Sequence, residues 1–124
     1  MRKLTLLLCF LGFGSYAHAQ LANSKWSGTI AGPDIMSAIL SFKTDTLEVI
    51  AAESGDPLET MSYKISGDTL LLKKISGGSP CPEGSSLKVK FIIQRDNLLI
   101  TPLSDDCEMR SKSWTKDPFV KVKE

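Results

Sequence analysis

The sequence predicts an all-β fold: a meandering antiparallel sheet of eight strands, with a candidate ninth, and one disulfide. Three observations predict it. A six-residue pattern (apolar residue, two residues, Asp, polar residue, Leu) recurs as Phe42-Lys43-Thr44-Asp45-Thr46-Leu47, Ile65-Ser66-Gly67-Asp68-Thr69-Leu70 and Ile93-Gln94-Arg95-Asp96-Asn97-Leu98. Beyond the opening stretch no segment sustains a 3.6-residue period, and short apolar runs alternate with turn residues. The two later cysteines, Cys81 and Cys107, form an even pair.

Each repeat reads as a hairpin. With two-residue turns centred on 44–45, 67–68 and 95–96, Phe42 faces Leu47, Ile65 faces Leu70 and Ile93 faces Leu98 on one side of the sheet. Gly67-Asp68 suits a type II′ turn, because glycine takes the positive φ at its first central position. Thr44-Asp45 and Arg95-Asp96 suit tight turns less well, which predicts longer loops relaxed by Asp45 or Asn97.

The elements follow in order. Strand 25–30 carries Trp26 and ends at the wide turn Ala31-Gly32-Pro33-Asp34. Strand 36–43 places Met36, Ala38, Leu40 and Phe42 on the inward face, continued by Leu47, Val49 and Ala51 in strand 46–52. Strand 58–65 adds Met61, Tyr63 and Ile65, and strand 69–75 adds Leu70, Leu72 and then Lys74. Ser76 to Ser86 is too rich in Gly, Ser and Pro for regular structure and holds Cys81. Strands 86–94 and 97–103 contribute Leu87, Val89, Phe91, Ile93, Leu98 and Ile100. After the short acidic segment Ser104 to Glu108, strand 109–115 is expected, and 119–123 is the ninth candidate. The outward face holds Ser41, Lys43, Glu48, Lys64, Lys73, Lys88, Lys90 and Gln94, interrupted by Ile39, Ile50, Leu71, Ile92 and Leu99.

The first nineteen residues read as a secretory signal: Arg2 and Lys3, an apolar run from Leu4 to Phe13, and Ala17-His18-Ala19 before a cut at Gln20. Cys9 does not make a lipoprotein site, since Leu8 stands where a small residue is needed. The apolar run is too short to span a membrane stably. Residues 20–124, about 105, suffice for one domain with a modest core. This part carries thirteen basic and fourteen acidic residues. Such near-neutrality argues against nucleic acid, which needs a concentrated basic face. Lys112, Lys116, Lys121 and Lys123 near the end read as a solvated terminal strand.

The leader also removes His18, the only histidine. Without it the mature chain builds neither a Ser-His-Asp or Cys-His site nor a His-ligated metal centre. A non-enzyme without cofactor or metal is therefore expected. In an exported chain, periplasmic or secreted, Cys81 and Cys107 are expected to pair. Asp105, Asp106 and Glu108 lack the Gly-punctuated spacing of a calcium loop and read as turn acids beside that disulfide.

Trp26 opening the first strand, the Asp-x-Leu hairpin restarts and Asp106-Cys107-Glu108-Met109-Arg110 before the last strand give the chain a resemblance to the small secreted bacterial lipocalin-like proteins. Ser24 stands where that family usually has Gly, and no Thr-Asp-x-x-Tyr segment is present. The resemblance implies an eight-stranded up-and-down β-barrel, closed or partly open. It also implies a clasp in which Arg110 stacks on the face of Trp26. In such a barrel Lys74 belongs near a mouth, because an unpaired ammonium in the closed interior is too costly.

Function has three readings at this stage. The first is binding of a small apolar molecule, with Phe42, Met61, Tyr63 and Phe91 lining a common interior site and the Tyr63 hydroxyl orienting the ligand. Mutual packing of those four is the competing account. The second is a protein-binding module such as a protease inhibitor that uses Gln20 to Ser24. The third is a structural barrel whose outer apolar residues form a homodimer interface.

Overall fold

The computed structural model describes residues 19–31 and 34–123. The expected leader, apart from Ala19, lies outside the described residues, and with it Cys9 and His18. Eight strands follow a short helical turn over residues 19–21: β1 (Ser24–Ile30), β2 (Met36–Phe42), β3 (Thr46–Ala51), β4 (Pro57–Ser66), β5 (Thr69–Gly77), β6 (Ser86–Gln94), β7 (Asn97–Asp105) and β8 (Phe119–Lys121). They pair antiparallel in chain order, and β8 returns to β1, closing an up-and-down barrel. The closure is short: β8 pairs only with Trp26 and Ser27 of β1 and with Asn97 and Leu98 of β7.

The three repeats do what their spacing predicts. Phe42 pairs with Leu47, Ile65 with Leu70 and Ile93 with Leu98. The two poorly suited turns are nonetheless tight, contrary to the expected longer loops. Lys43 N–H donates to Thr46 O at 2.7 Å, and Arg95 itself adopts φ 57° so that Gln94 can pair with Asn97. Register between long, well-paired strands overrides the local preference of an arginine.

These turns and the start of β1 define a hairpin end of the barrel. The end of β1, the start of β2 and the segments 52–56, 78–85 and 106–118 define the opposite, loop end. The inward residues form one core that includes Trp26, Leu40, Phe42, Leu47, Met61, Leu70, Val89, Leu98 and Phe119. Met36, expected inside, is partly exposed because β2 begins there, at the loop end. Ser41, expected outside, is buried between its register partners Lys25 and Glu48.

The expected strand at 109–115 is absent. Glu108–Ser111 forms a one-turn helix, α1, and Trp114 makes a single bridge to Ile30. Met109 and Trp114 fall on opposite phases of a two-residue repeat, so the run has no face to bury. The ninth candidate closes the barrel instead, as β8. Phe119 enters the core opposite Leu98 and lies against Gly28, where a Cβ would come within 2.5 Å of its ring. Among the described residues no helix is long and apolar enough to cross a membrane.

Candidate functional site: the barrel interior and its two closures

The four residues expected to line a ligand site lie in the one core. Phe42, Met61, Tyr63 and Phe91 are all buried there. Phe42 meets Tyr63 edge-on, ring centroids 5.3 Å apart and planes at 88°. The Tyr63 hydroxyl donates to Lys43 O at 2.6 Å. Burial, and secondarily the charge of Asp45, raise the Tyr63 pKa. Each disfavours a phenolate. Phe42, Leu47, Met61 and Lys74 are successive cross-strand partners on β2, β3, β4 and β5. The row therefore runs from an aromatic wall to a charge.

At the hairpin end the helical turn plugs the barrel. Leu21 is 0% exposed and belongs to the core. The Ser24 hydroxyl donates to Leu21 O and accepts from Trp26 Nε1 at 2.8 Å, which ties the turn to β1. Beside this plug lies an open groove of about 450 Å³ among residues 19–25, the end of β2 and the end of β8. Its lining includes Phe42, Ser41, Lys25, Lys43 and Lys121. Phe42 thus belongs both to the core and to the groove, which none of the other three expected residues does.

The loop end is closed by charge. Lys74 is 4% exposed, and its ammonium donates to Cys81 O (2.7 Å), Ser79 O (2.9 Å) and Ser79 Oγ (3.1 Å). Ser79 Oγ in turn donates to Glu59 Oε1 at 2.9 Å, and that oxygen lies 3.8 Å from Lys74 Nζ. Arg110, 5% exposed, donates through Nε and NH2 to Asp105 at 3.1 and 2.7 Å. Its NH1 lies 3.6 Å from Glu59 Oε1 and makes no hydrogen bond. Two cations and two carboxylates sum to zero charge, the condition under which such groups can be buried. Burial would lower the Arg110 pKa, but the hydrogen bonds and charge of Asp105, with the charge of Glu59, outweigh it and raise the value.

This arrangement corrects the clasp expected from Trp26 and Arg110. Trp26 sits near the hairpin end, paired with Leu40 and Lys121, and gives its N–H to Ser24. Arg110 sits at the loop end on α1 and clasps Asp105 and Glu59. An arginine whose five donors find two buried carboxylates takes those in preference to a ring face. Lys74 does point inward at a barrel end, as expected, and the loop 78–85 covers it.

The sequence reading missed Glu59 and the inward turn of Asp105. Glu59 stands two residues before Met61, in phase with Met61 and Tyr63, and that phase was the available signal. Asp105 left no such signal. The alternation Leu98, Ile100, Pro102 slips by one at a bulge around Leu103, where Val89 pairs with Pro102 and Lys88 with Ser104. The acids of the 105–108 segment then divide their tasks. Asp105 holds Arg110, Asp106 accepts from Ser86 N–H at 3.0 Å, and Glu108 opens α1. Among the described residues no group of three or more His, Cys, Asp or Glu is placed to hold a metal ion.

Cys81 and Cys107 are bonded, with Cα atoms 5.8 Å apart. The bridge joins the loop over Lys74 to the segment between Asp105 and α1. A disulfide of this kind belongs to oxidising compartments, in keeping with an extracellular location. No family model, curated protein or solved structure matches this chain.

Proposed function

We propose that the chain is an exported, non-enzymatic binding barrel that takes up a small, largely apolar molecule at its hairpin end. The observation that carries this reading is the groove beside Leu21 and Phe42: it falls within the volume range of small-molecule sites and reaches an aromatic of the core. Phe42, Met61, Tyr63 and Phe91 all lie buried in the one core, and Phe42 alone among them also borders the groove, where the ligand enters. The export reading rests on the leader pattern and the disulfide. The absence of catalysis rests on the lack of a mature histidine.

The inhibitor reading has less support, because Leu21 is wholly buried and Ser24 is engaged in tying it down. The dimer reading is also weaker, since outer Leu71 has Lys88 directly across the strand.

Titration of the mature protein with Nile red, a neutral apolar dye, tests the proposal. Ala22→Trp fills the groove from its half-buried rim and should abolish uptake with little change in Tm. Phe91→Trp overpacks the core and should cost about 1–3 kcal/mol of stability while uptake persists. If the wild type takes up no dye, or Ala22→Trp takes up as much as the wild type, the reading fails.

A further inference from the structure

Lysines gather on one outer face of the barrel. Leu71 of β5 stands directly between Lys64 of β4 and Lys88 of β6 in the sheet register. Lys73 follows Leu71 two residues on, and Lys90 follows Lys88 likewise, so both point outward beside it. All four lysines are exposed, and Leu71 and Ile92, the next outward residue of β6, are each 40% exposed. Lys90 lies 3.8 Å from Asp68, an exposed pair at the hairpin tip. Lys64, Lys73 and Lys88 meet no acid among the described residues.

Acids are sorted away from this face. Those within strands are Glu48, Glu59 and Asp105. Glu59 and Asp105 turn inward to the charge cluster, and Glu48 stands on β3, outside the three strands that carry the lysines. The other acids among the described residues occupy turns, loops and α1. Residues 20–124 have nearly balanced charge, so the face is positive by placement and not by composition. A face that serves solubility alone intersperses both signs.

We infer that this face docks on an anionic lipid bilayer, with the four ammonium groups at the headgroup phosphates and Leu71 at the acyl boundary beneath them. Lysine stems can lie along the apolar layer while their charges stay among the headgroups. Basic and apolar side chains interleaved on one surface suit that layered partner. A soluble polyanion satisfies the lysines but leaves Leu71 and Ile92 in water. A second copy meeting this face sets lysine against lysine. The face shares no residue with the groove at the hairpin end, so it stands independently of the proposed small-molecule binding.

Cosedimentation with vesicles tests the inference on disulfide-bonded protein comprising residues 20–124, which hold every strand and omit the apolar run after Lys3. One vesicle is phosphatidylcholine alone, and the other mixes it with phosphatidylglycerol in equal parts. The mixed vesicles should bind at least about a hundredfold more tightly, since each lysine gains near an anionic surface. Lys64→Gln with Lys88→Gln should weaken binding to mixed vesicles about twenty-fold, at roughly fivefold per lysine, with Tm unchanged. Leu71→Ser should weaken it about threefold and leave binding to heparin, a soluble sulfated polymer, as in the wild type.

Equal binding to the two vesicle types would overturn the anionic surface. Wild-type binding by the double lysine variant would overturn the face. If mixed vesicles do not bind, the bilayer is overturned, and heparin binding in that case identifies a soluble polyanion as the partner. Leu71→Ser binding mixed vesicles as tightly as the wild type would overturn the acyl contact.

Discussion

Tyr63 shows how one side chain links packing to pH. Its hydroxyl is satisfied by Lys43 O, and burial raises its pKa. The folded protein therefore keeps the phenolic proton over a window in which the unfolded chain has lost it. The resulting stability is intact below about pH 10, the ordinary tyrosine value, and disappears as pH rises through the folded value. Tyr63 is the only tyrosine among residues 20–124, so absorbance titration of a protein comprising those residues reads it alone. The midpoint should lie above the ordinary value, and Tyr63→Phe should remove the alkaline loss while costing about 1 kcal/mol at neutral pH. The Asp105–Arg110 pair sets a larger stake. Asp105→Asn leaves a buried guanidinium short of counter-charge and should cost about 3–5 kcal/mol in urea unfolding. Asp105→Leu with Arg110→Met should recover part of that loss, because both charges leave together. If Asp105→Asn unfolds at the wild-type urea midpoint, the cluster contributes far less than its geometry implies.

At the scale of elements, the aspartates of the three repeats share a task beyond turning the chain. Asp45 O accepts from Tyr63 N–H (3.0 Å), Asp68 O from Phe91 N–H (2.8 Å) and Asp96 O from Lys121 N–H (2.8 Å). Each hairpin tip is therefore stitched to the first strand of the next hairpin or, for the last, to β8. The repeat encodes both a hairpin and its attachment to the following one. The final attachment matters most, because β8 has only three residues and two register pairs with each neighbour. Its hold depends on Phe119 filling the space over Gly28. Gly28→Ala places a methyl inside that ring and should cost about 1–3 kcal/mol. Hydrogen exchange should show the loss first at Lys121 and Val122, whose N–H groups bond to Asp96 O and Lys25 O. Uniform loss of protection around the whole barrel would show instead that β8 has no separate stability.

For the whole molecule, the disulfide couples the two irregular segments that complete the loop end. Cys81 supplies a carbonyl to Lys74, and Cys107 N–H donates to Asp105 Oδ1 at 2.8 Å, so the bridge ties the two halves of the charge cluster together. Replacing both cysteines with serine should cost roughly 3–4 kcal/mol for this loop length on the chain-entropy estimate. The cost should exceed that value if the loop over Lys74 also opens. Trypsin cleavage after Lys74 distinguishes the two outcomes: it should be undetectable in the bridged protein and appear in the Cys81→Ser, Cys107→Ser variant. An equally resistant variant would mean that hydrogen bonds alone hold the loop.

The sequence by itself determined the all-β class, the three hairpins, their register and most of the inward face. All of these follow from short-range rules: a period of two, a turn and residues that meet across it. It also supplied the cysteine pair, by elimination. What only the tertiary structure decided lies at the barrel's ends and seam. The choice of 119–121 over 109–115 as the closing strand depends on Phe119 finding Gly28, 91 residues earlier. The partner of Arg110 depends on a bulge that turns Asp105 inward and on Glu59 arriving from another hairpin. Lys25, Lys43 and Lys121 form one groove only because the barrel closes. Local patterns specify neighbours in the sheet, but a closed barrel also makes neighbours of its two ends, and no short-range pattern encodes that contact.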